Sequence, residues 1–219
     1  MIYAPPAEPY LTIAYEAEDY ILLEKQSGIL SVPGRGPEKA DCLYSRLLKR
    51  NPEALVVHRL DLETSGLVIF ARNKETQSYF GRLFQNRAVE KTYHAIVVGR
   101  ISGASGWIDL PISADWINRP KQKIDYKNGK ASKTYWELVK SNNNYSYIQL
   151  KPHTGRSHQL RVHMSSVGHP IAGDPLYNQK NDPTHFPRLF LHASELKFED
   201  PQTHEMVKFA SEVPFKSFL

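Results

Sequence analysis

Residues 58–71 constrain this chain more than any other stretch. His58-Arg59-Leu60-Asp61-Leu62-Glu63-Thr64-Ser65-Gly66 is rich in turn formers and runs straight into the apolar Leu67 to Ala71. A short apolar run bounded by turn signals reads as a buried strand, and the residues ahead of it as an irregular loop anchored on that strand. A carboxylate on such a loop can be aimed at a substrate, which makes Asp61 the first candidate for chemistry.

Two other readings of the same residues stand beside that one. Asp61 can accept hydrogen bonds from the backbone amides that follow it, with Gly66 supplying a positive φ, as in an Asx-type turn. Asp61-Leu62-Glu63-Thr64 is also a degraded form of an aspartyl-phosphatase signature. Such chemistry asks for a second aspartate where Glu63 stands and for a Mg²⁺ site, and no acidic cluster downstream supplies one.

The rest of the chain predicts an α+β protein with a mixed, largely antiparallel sheet and flanking helices and loops. Strands are expected at Tyr20 to Glu24, Ile29 to Val32, Val56 to His58, Leu67 to Ala71, Tyr93 to Val98 and Trp107 to Ile112, then at Lys133 to Val139, Tyr145 to Leu150, Leu189 to Phe198 and Met206 to Ala210. Leu43, Leu47 and Leu48 have helical spacing ahead of Pro52, and Asn73 can cap a helix carrying Phe80, Leu83 and Phe84 on one face. A third helix is expected from about Ser157 to Val167, stopped by Gly168. Asn142 to Asn144 read as a hairpin turn, and Pro5, Pro6 and Pro9 keep the first ten residues extended or irregular. Residues 1–18 are taken as an N-terminal extension and 19–219 as one catalytic domain, since no linker or repeat forces a further cut.

The 219 residues carry 28 Lys and Arg against 23 acids, a net charge of +5 that suits a polyanionic partner without demanding one. Cys42 is the sole cysteine, so no intramolecular disulfide can form and a cytoplasmic location is expected. Neither a signal peptide nor an apolar run of membrane-spanning length is visible, so no membrane association is expected. Gly34-Arg35-Gly36 lacks the lysine and hydroxyl of a phosphate-binding loop.

A second constellation lies at Thr154-Gly155-Arg156-Ser157-His158-Gln159-Leu160-Arg161-Val162-His163. It reads as a helix start whose first-turn amides could hold a phosphate. Arg156 and Arg161 stand five residues apart, hence on different faces, with one suited to a substrate backbone and the other turned inward. His158 and His163 have the same five-residue spacing, which does not aim two imidazoles at one metal, so no metal site is expected. Between the two constellations, Asn118 to Lys133 carries Arg119, Lys121, Lys123, Lys127, Lys130 and Lys133 against Asp125. That is either a solvated loop or a clamp on nucleic-acid phosphates.

Taken together these blocks resemble the RluA family of RNA pseudouridine synthases. Lys25 to Pro33 resembles the family's first motif, His58 to Gly66 its catalytic motif, Glu90 to Ala95 its tyrosine segment, Thr154 to His163 with Gly168 to Asp174 its arginine segment, and Leu189 to Ala193 its closing strand. Pro5 to Leu11 and Asp115 to Lys123 resemble the member that acts on both 23S rRNA and tRNA. Gln26 stands where the family usually has proline, and Leu62-Glu63 where that member has Met-Ala. The accessory S4-like RNA-binding domain of many relatives is not expected here.

The resemblance implies a pseudouridine synthase catalytic domain that isomerises a flipped-out uridine to pseudouridine without cofactor or metal. Asp61 would act as nucleophile or base, Arg161 would pair with it, and Tyr93 would stack on the uracil. Arg59 would fill the place of the extruded base, and Arg119, Lys121, Lys123 and Arg156 would hold RNA. The expected partner is RNA, as a tRNA anticodon stem-loop or a 23S rRNA hairpin, engaged by a monomer. The competing class is a non-catalytic RNA-binding or RNA-remodelling protein on the same fold, which would not need an acid facing phosphates.

Overall fold

The computed structural model describes residues 3–178 and 186–218. They fall into two compact units that divide the chain at residues 90/91, 192/193 and 212/213.

The first unit opens with β1 (Ile13–Glu16), antiparallel to β2 (Tyr20–Lys25). Helix α1 (Leu43–Arg50) starts on Cys42, whose Sγ accepts the Ser45 N–H at 3.3 Å while Ser45 Oγ accepts the Cys42 N–H at 2.9 Å. The thiol thus serves as a helix cap, satisfying amides that the first turn leaves without partners. After β3 (Leu55–Val56) comes β4 (Ser65–Ala71), buried along its whole length, as its unbroken apolar run requires. It pairs antiparallel with β2, Tyr20 opposite Ala71 and Lys25 opposite Gly66. Helix α2 (Lys74–Gln85) is capped by Asn73, whose Oδ1 accepts the Thr76 N–H at 2.8 Å. It ends in a Schellman turn: the N–H of Ala88 reaches the Leu83 carbonyl at 2.8 Å and that of Arg87 the Phe84 carbonyl at 3.2 Å. Arg87 occupies the left-handed position there, at φ 61°, where glycine is the usual residue.

In the second unit the elements are β5 (Glu90–Val98), β6 (Ser105–Asp109), β7 (Ile112–Ala114), β8 (Gln122–Ile124), β9 (Lys133–Ser141), β10 (Tyr145–Pro152) and α3 (Gln159–Ser166). The strand order is β5-β10-β9-β6, and β7-β8 forms a separate two-stranded ribbon. Helix α3 also closes in a Schellman turn, with Gly168 at φ 86° and the His169 N–H on the Met164 carbonyl at 2.9 Å. The chain then runs through β11 (Leu191–Glu199) to β12 (Met206–Ala210), and in the first unit β11 lies between β4 and β12.

Each unit has its own apolar core. Tyr20, Leu22, Leu67, Ile69, Phe80 and Phe198 fill the first. Ala95, Val97, Ile148, Leu150, Leu160, Met164 and Leu191 fill the second. Each such large side chain contributes about 1.5–3 kcal/mol by leaving water. Because β1, β2 and β4 pair antiparallel, as do β5, β10 and β9, and helices pack beside the strands, the fold is α+β.

Several expectations need correction. Ile29 to Val32 is no strand: Gly28 turns at φ 86°, and the Leu30 and Ser31 carbonyls accept the N–H groups of Leu43 and Tyr44 at the start of α1. The run is apolar because Ile29 is buried in a loop. Trp107 to Ile112 is split between β6 and β7. The third helix runs from Gln159 to Ser166, starting two residues later than expected, and its N-cap is His158 at φ 54°, with no side-chain cap.

Candidate active site

Asp61 lies in the irregular loop between β3 and β4, and this loop is gripped by its main chain. Ser31 Oγ donates to the Leu60 carbonyl at 2.8 Å and accepts the Leu60 N–H at 3.0 Å. The Thr64 N–H closes the turn on the Asp61 carbonyl at 3.2 Å, and Gly28 N–H reaches the Leu62 carbonyl at 3.0 Å. Ser27 Oγ donates to the Glu63 carbonyl at 2.8 Å. Lys25, only 2% exposed, directs its ammonium at the carbonyls of Gln26, Leu62 and Thr64 at 2.8, 2.8 and 2.7 Å. A buried ammonium persists only where its donors are satisfied, and three carbonyls match its three N–H groups.

The motif that begins at Lys25 is therefore the vice that fixes the Asp61 loop. Gly66, next along, sits at φ 114°, and a Cβ there would overlap the backbone of Ala193 on β11. Its glycine is demanded by this close approach. His58 Nε2 accepts the Ile69 N–H at 3.0 Å, and the imidazole lies 4.7 Å from the Phe84 ring of α2. The neighbouring Arg59 is exposed.

Tyr93 and Arg161 belong to the second unit. Tyr93 stands on β5 opposite Leu150 of β10, half-buried against the core. Lys91 shares its strand face, and burial pushes that ammonium below the ordinary lysine range. Arg161 is buried in α3, and its Nε and Nη2 form a two-point fork with Asp174 Oδ2 and Oδ1, both at 2.8 Å. Asp174 Oδ1 also accepts the N–H groups of Leu176 at 2.8 Å and Tyr177 at 3.1 Å. Arg156, by contrast, is exposed, with Nε 3.4 Å from the Ala131 carbonyl. The two arginines of this segment thus divide as their spacing implied, one outward and one inward.

Gln159 ties the start of α3 to β9. Its Oε1 accepts from Thr154 Oγ1 and the Arg156 N–H, and its Nε2 donates to the Lys133 carbonyl and Thr134 Oγ1. His163 bridges Thr134 Oγ1 at 2.9 Å and the Leu110 carbonyl at 3.0 Å, and burial lowers its pKa below the usual histidine range.

The basic segment is a presented surface. The Asp115 N–H reaches the Lys121 carbonyl at 3.0 Å, closing a loop whose tip exposes Trp116 and Ile117. The Arg119 guanidinium lies 3.6 Å from the Trp116 ring centroid, a cation–π pair that offers both charge and a flat face. Lys123 is exposed and Lys121 half-buried on the same ribbon. Asp125 accepts the Asn128 N–H, the Ser113 hydroxyl and the Lys127 N–H, which hold its carboxyl below the ordinary range, so the turn's acid is engaged in local structure.

Sequence reasoning singled out neither Lys25, Asp174 nor Tyr177 as a working side chain. Asp174 carried a signal in hindsight, since an aspartate amid Pro170-Ile171-Ala172-Gly173 needs a buried partner.

A loop-borne acid, a buried arginine fork and a basic ribbon on an α+β scaffold suit an enzyme that meets a polyanionic substrate, and the comparisons with known proteins define its class. Residues 19–166 match the family described as RNA pseudouridylate synthase, and the chain belongs to that family. It is similar to the dual-specificity RNA pseudouridine synthase RluA of Vibrio vulnificus (strain CMCP6), with 46% identity over 207 residues, 92% of this chain and 83% of that protein. The protein of the same name from Escherichia coli (strain K12) is 43% identical over 214 residues, 97% of this chain and 98% of that one. Among solved structures, Human RNA Pseudouridylate Synthase Domain Containing 1 superposes with a TM-score of 0.79 at 30% identity, covering 99% of this chain and 89% of that one.

Proposed function

We propose that this RNA pseudouridine synthase uses Asp61 as its reacting carboxylate on a uridine presented in an RNA hairpin loop. The observation that carries the reading is the grip on residues 60–64, which holds the acid's main chain through Lys25, Ser27, Gly28 and Ser31. Such preorganisation is what a reaction with one acid and no second chemical group requires. The N1–C1′ bond breaks in one of two ways: Asp61 bonds to C1′ and is released again when C5 takes its place, or Asp61 removes a ribose proton and returns it once the new bond has formed. The uracil turns, C5 bonds to C1′, the C5 proton leaves and N1 gains one. Atoms and charge balance, so neither cofactor nor metal is needed. Tyr93 offers a ring to the uracil, and the pairing of Arg161 with Asp61, expected from the family resemblance, is part of this proposal. Arg59 takes the place of the extruded base, offsetting about a few kcal/mol of unstacking.

Relatives named as dual-specificity RNA pseudouridine synthases support a range of more than one RNA. Our reading takes the two to be a tRNA anticodon stem-loop and a 23S rRNA hairpin, held by Arg119, Lys121, Lys123 and Arg156 of a protein that acts as a cytoplasmic monomer. The test is tritium release from 5-³H-uridine RNA of both kinds, by wild type and by Asp61→Asn. We expect wild-type release from both RNAs, and loss of release with RNA affinity kept within about threefold in the variant, because the amide is isosteric but cannot act as an anion. Turnover by the variant overturns the role of Asp61, and release from one RNA class alone overturns dual specificity.

A further inference from the structure

The β7-β8 ribbon carries the basic residues, yet two strands alone are marginally stable in water. Its placement therefore depends on what ties it to the rest of the second unit. One tie is at its base, where His163 of α3 holds the Leu110 carbonyl at 3.0 Å. Another falls between the two lysines: the Gln122 N–H donates to the hydroxyl of Tyr177 at 2.7 Å.

Tyr177 is itself pinned at every level. Its N–H lies on Asp174 Oδ1 at 3.1 Å and its carbonyl accepts from Ser165 Oγ of α3 at 3.2 Å. Its ring faces the Arg161 guanidinium, 5.2 Å from the centroid, and its hydroxyl stands 2.8 Å from His158 Nδ1. A hydroxyl that accepts from Gln122 still has a proton to give, so the arrangement is satisfied when Tyr177 donates to a neutral His158 Nδ1. One side chain thus joins the basic ribbon, the start of α3 and the Arg161–Asp174 fork.

We propose that Tyr177 is a positioning residue that fixes the β7-β8 ribbon on α3, and so sets how tightly RNA is held at Lys121 and Lys123 without itself touching RNA. The inference rests on the RNA-isomerising reading above for its consequence, though not for the tie itself. Removing only the hydroxyl leaves the Gln122 N–H without its acceptor while the ring stays over Arg161. The lysines then lose their preset spacing, and ordering them becomes part of the cost of binding.

The test uses Tyr177→Phe in three measurements. In the protein without RNA, amide hydrogen exchange across Ile112 to Ile124 should quicken about tenfold, as expected when one tie of a marginal element is lost. Unchanged exchange overturns the tie, whatever the enzyme does. In steady-state assays KM for hairpin RNA should rise about five- to tenfold with kcat within about twofold, the pattern of lost uniform binding. A fall in kcat at constant KM, or a lower melting temperature with both constants kept, overturns the positioning role. Finally, in a Lys121→Gln/Lys123→Gln background the same substitution should add less than about twofold to KM, since coupled residues are non-additive. Full additivity would mean that the hydroxyl meets RNA directly and would overturn the proposal. Absence of wild-type turnover on any RNA fails the functional reading alone, since exchange still reports on the tie.

Discussion

Arg161 and Asp174 are locked face to face inside the second unit, two parallel hydrogen bonds of 2.8 Å joining a guanidinium and a carboxylate that are both buried. The pair explains how an arginine can be held inward on α3, because the desolvation of each ion is met by the other and by two further backbone donors on Asp174. Breaking it from one side strands a buried charge. Asp174→Asn should therefore destabilise the protein by about 3–5 kcal/mol in urea unfolding, more than Arg161→Lys, which keeps the charge but loses the planar fork. Equal stability of Asp174→Asn and wild type would show that the fork does not hold the unit together.

Lys25→Met should leave RNA affinity unchanged and lower kcat about 10- to 100-fold, because the carbonyls of Leu62 and Thr64 lose their donor and the Asp61 loop loosens. Single-turnover rates alongside filter binding would read this out. A variant that keeps wild-type kcat would place the rigidity of the loop elsewhere.

Arg87 holds a left-handed backbone under strain that glycine would not suffer. Arg87→Gly should raise the unfolding free energy by about 0.5–1 kcal/mol after the greater entropy of the unfolded glycine is counted. A destabilised variant would mean that the arginine side chain contributes more than its backbone costs.

A pH dependence follows from His192. Burial first, then the nearby Arg188 and His94 charges, hold its pKa down to about 4, so it stays neutral in the folded protein while the unfolded chain takes up a proton below about 6.5. The stability it contributes is present above that value and is lost as pH falls toward 4. Wild type should lose about 2 kcal/mol more than His192→Gln between about pH 7 and pH 5. Parallel pH curves for the two proteins would contradict the buried, neutral histidine.

Much of this architecture was legible from local signals. Asn73 capping α2, Gly168 ending α3 and the unbroken apolar run of β4 each state a physical need within a few residues. Strand β8 was not legible, because Gln122-Lys123-Ile124 pairs only with β7 and shows no buried face. Ile29 to Val32 misled for the opposite reason, being apolar without pairing. At the candidate site, Asp61 announced itself by its setting, whereas Lys25 reaches carbonyls 37 and 39 positions away and Asp174 answers an arginine 13 positions earlier. Such partnerships arise only when the chain is folded, and a lysine at the end of a strand looks like any other.

The vice around residues 60–64 closes on the main-chain carbonyls of Leu60, Leu62, Glu63 and Thr64, to which the Ser27–Glu63 side-chain bond of 3.1 Å is added. Side chains at 62 and 63 can consequently drift while the acid's backbone stays put. A loop anchored in this way lets evolution, or an engineer, retune Leu62 and Glu63 beside the candidate acid one substitution at a time without first having to rebuild its support.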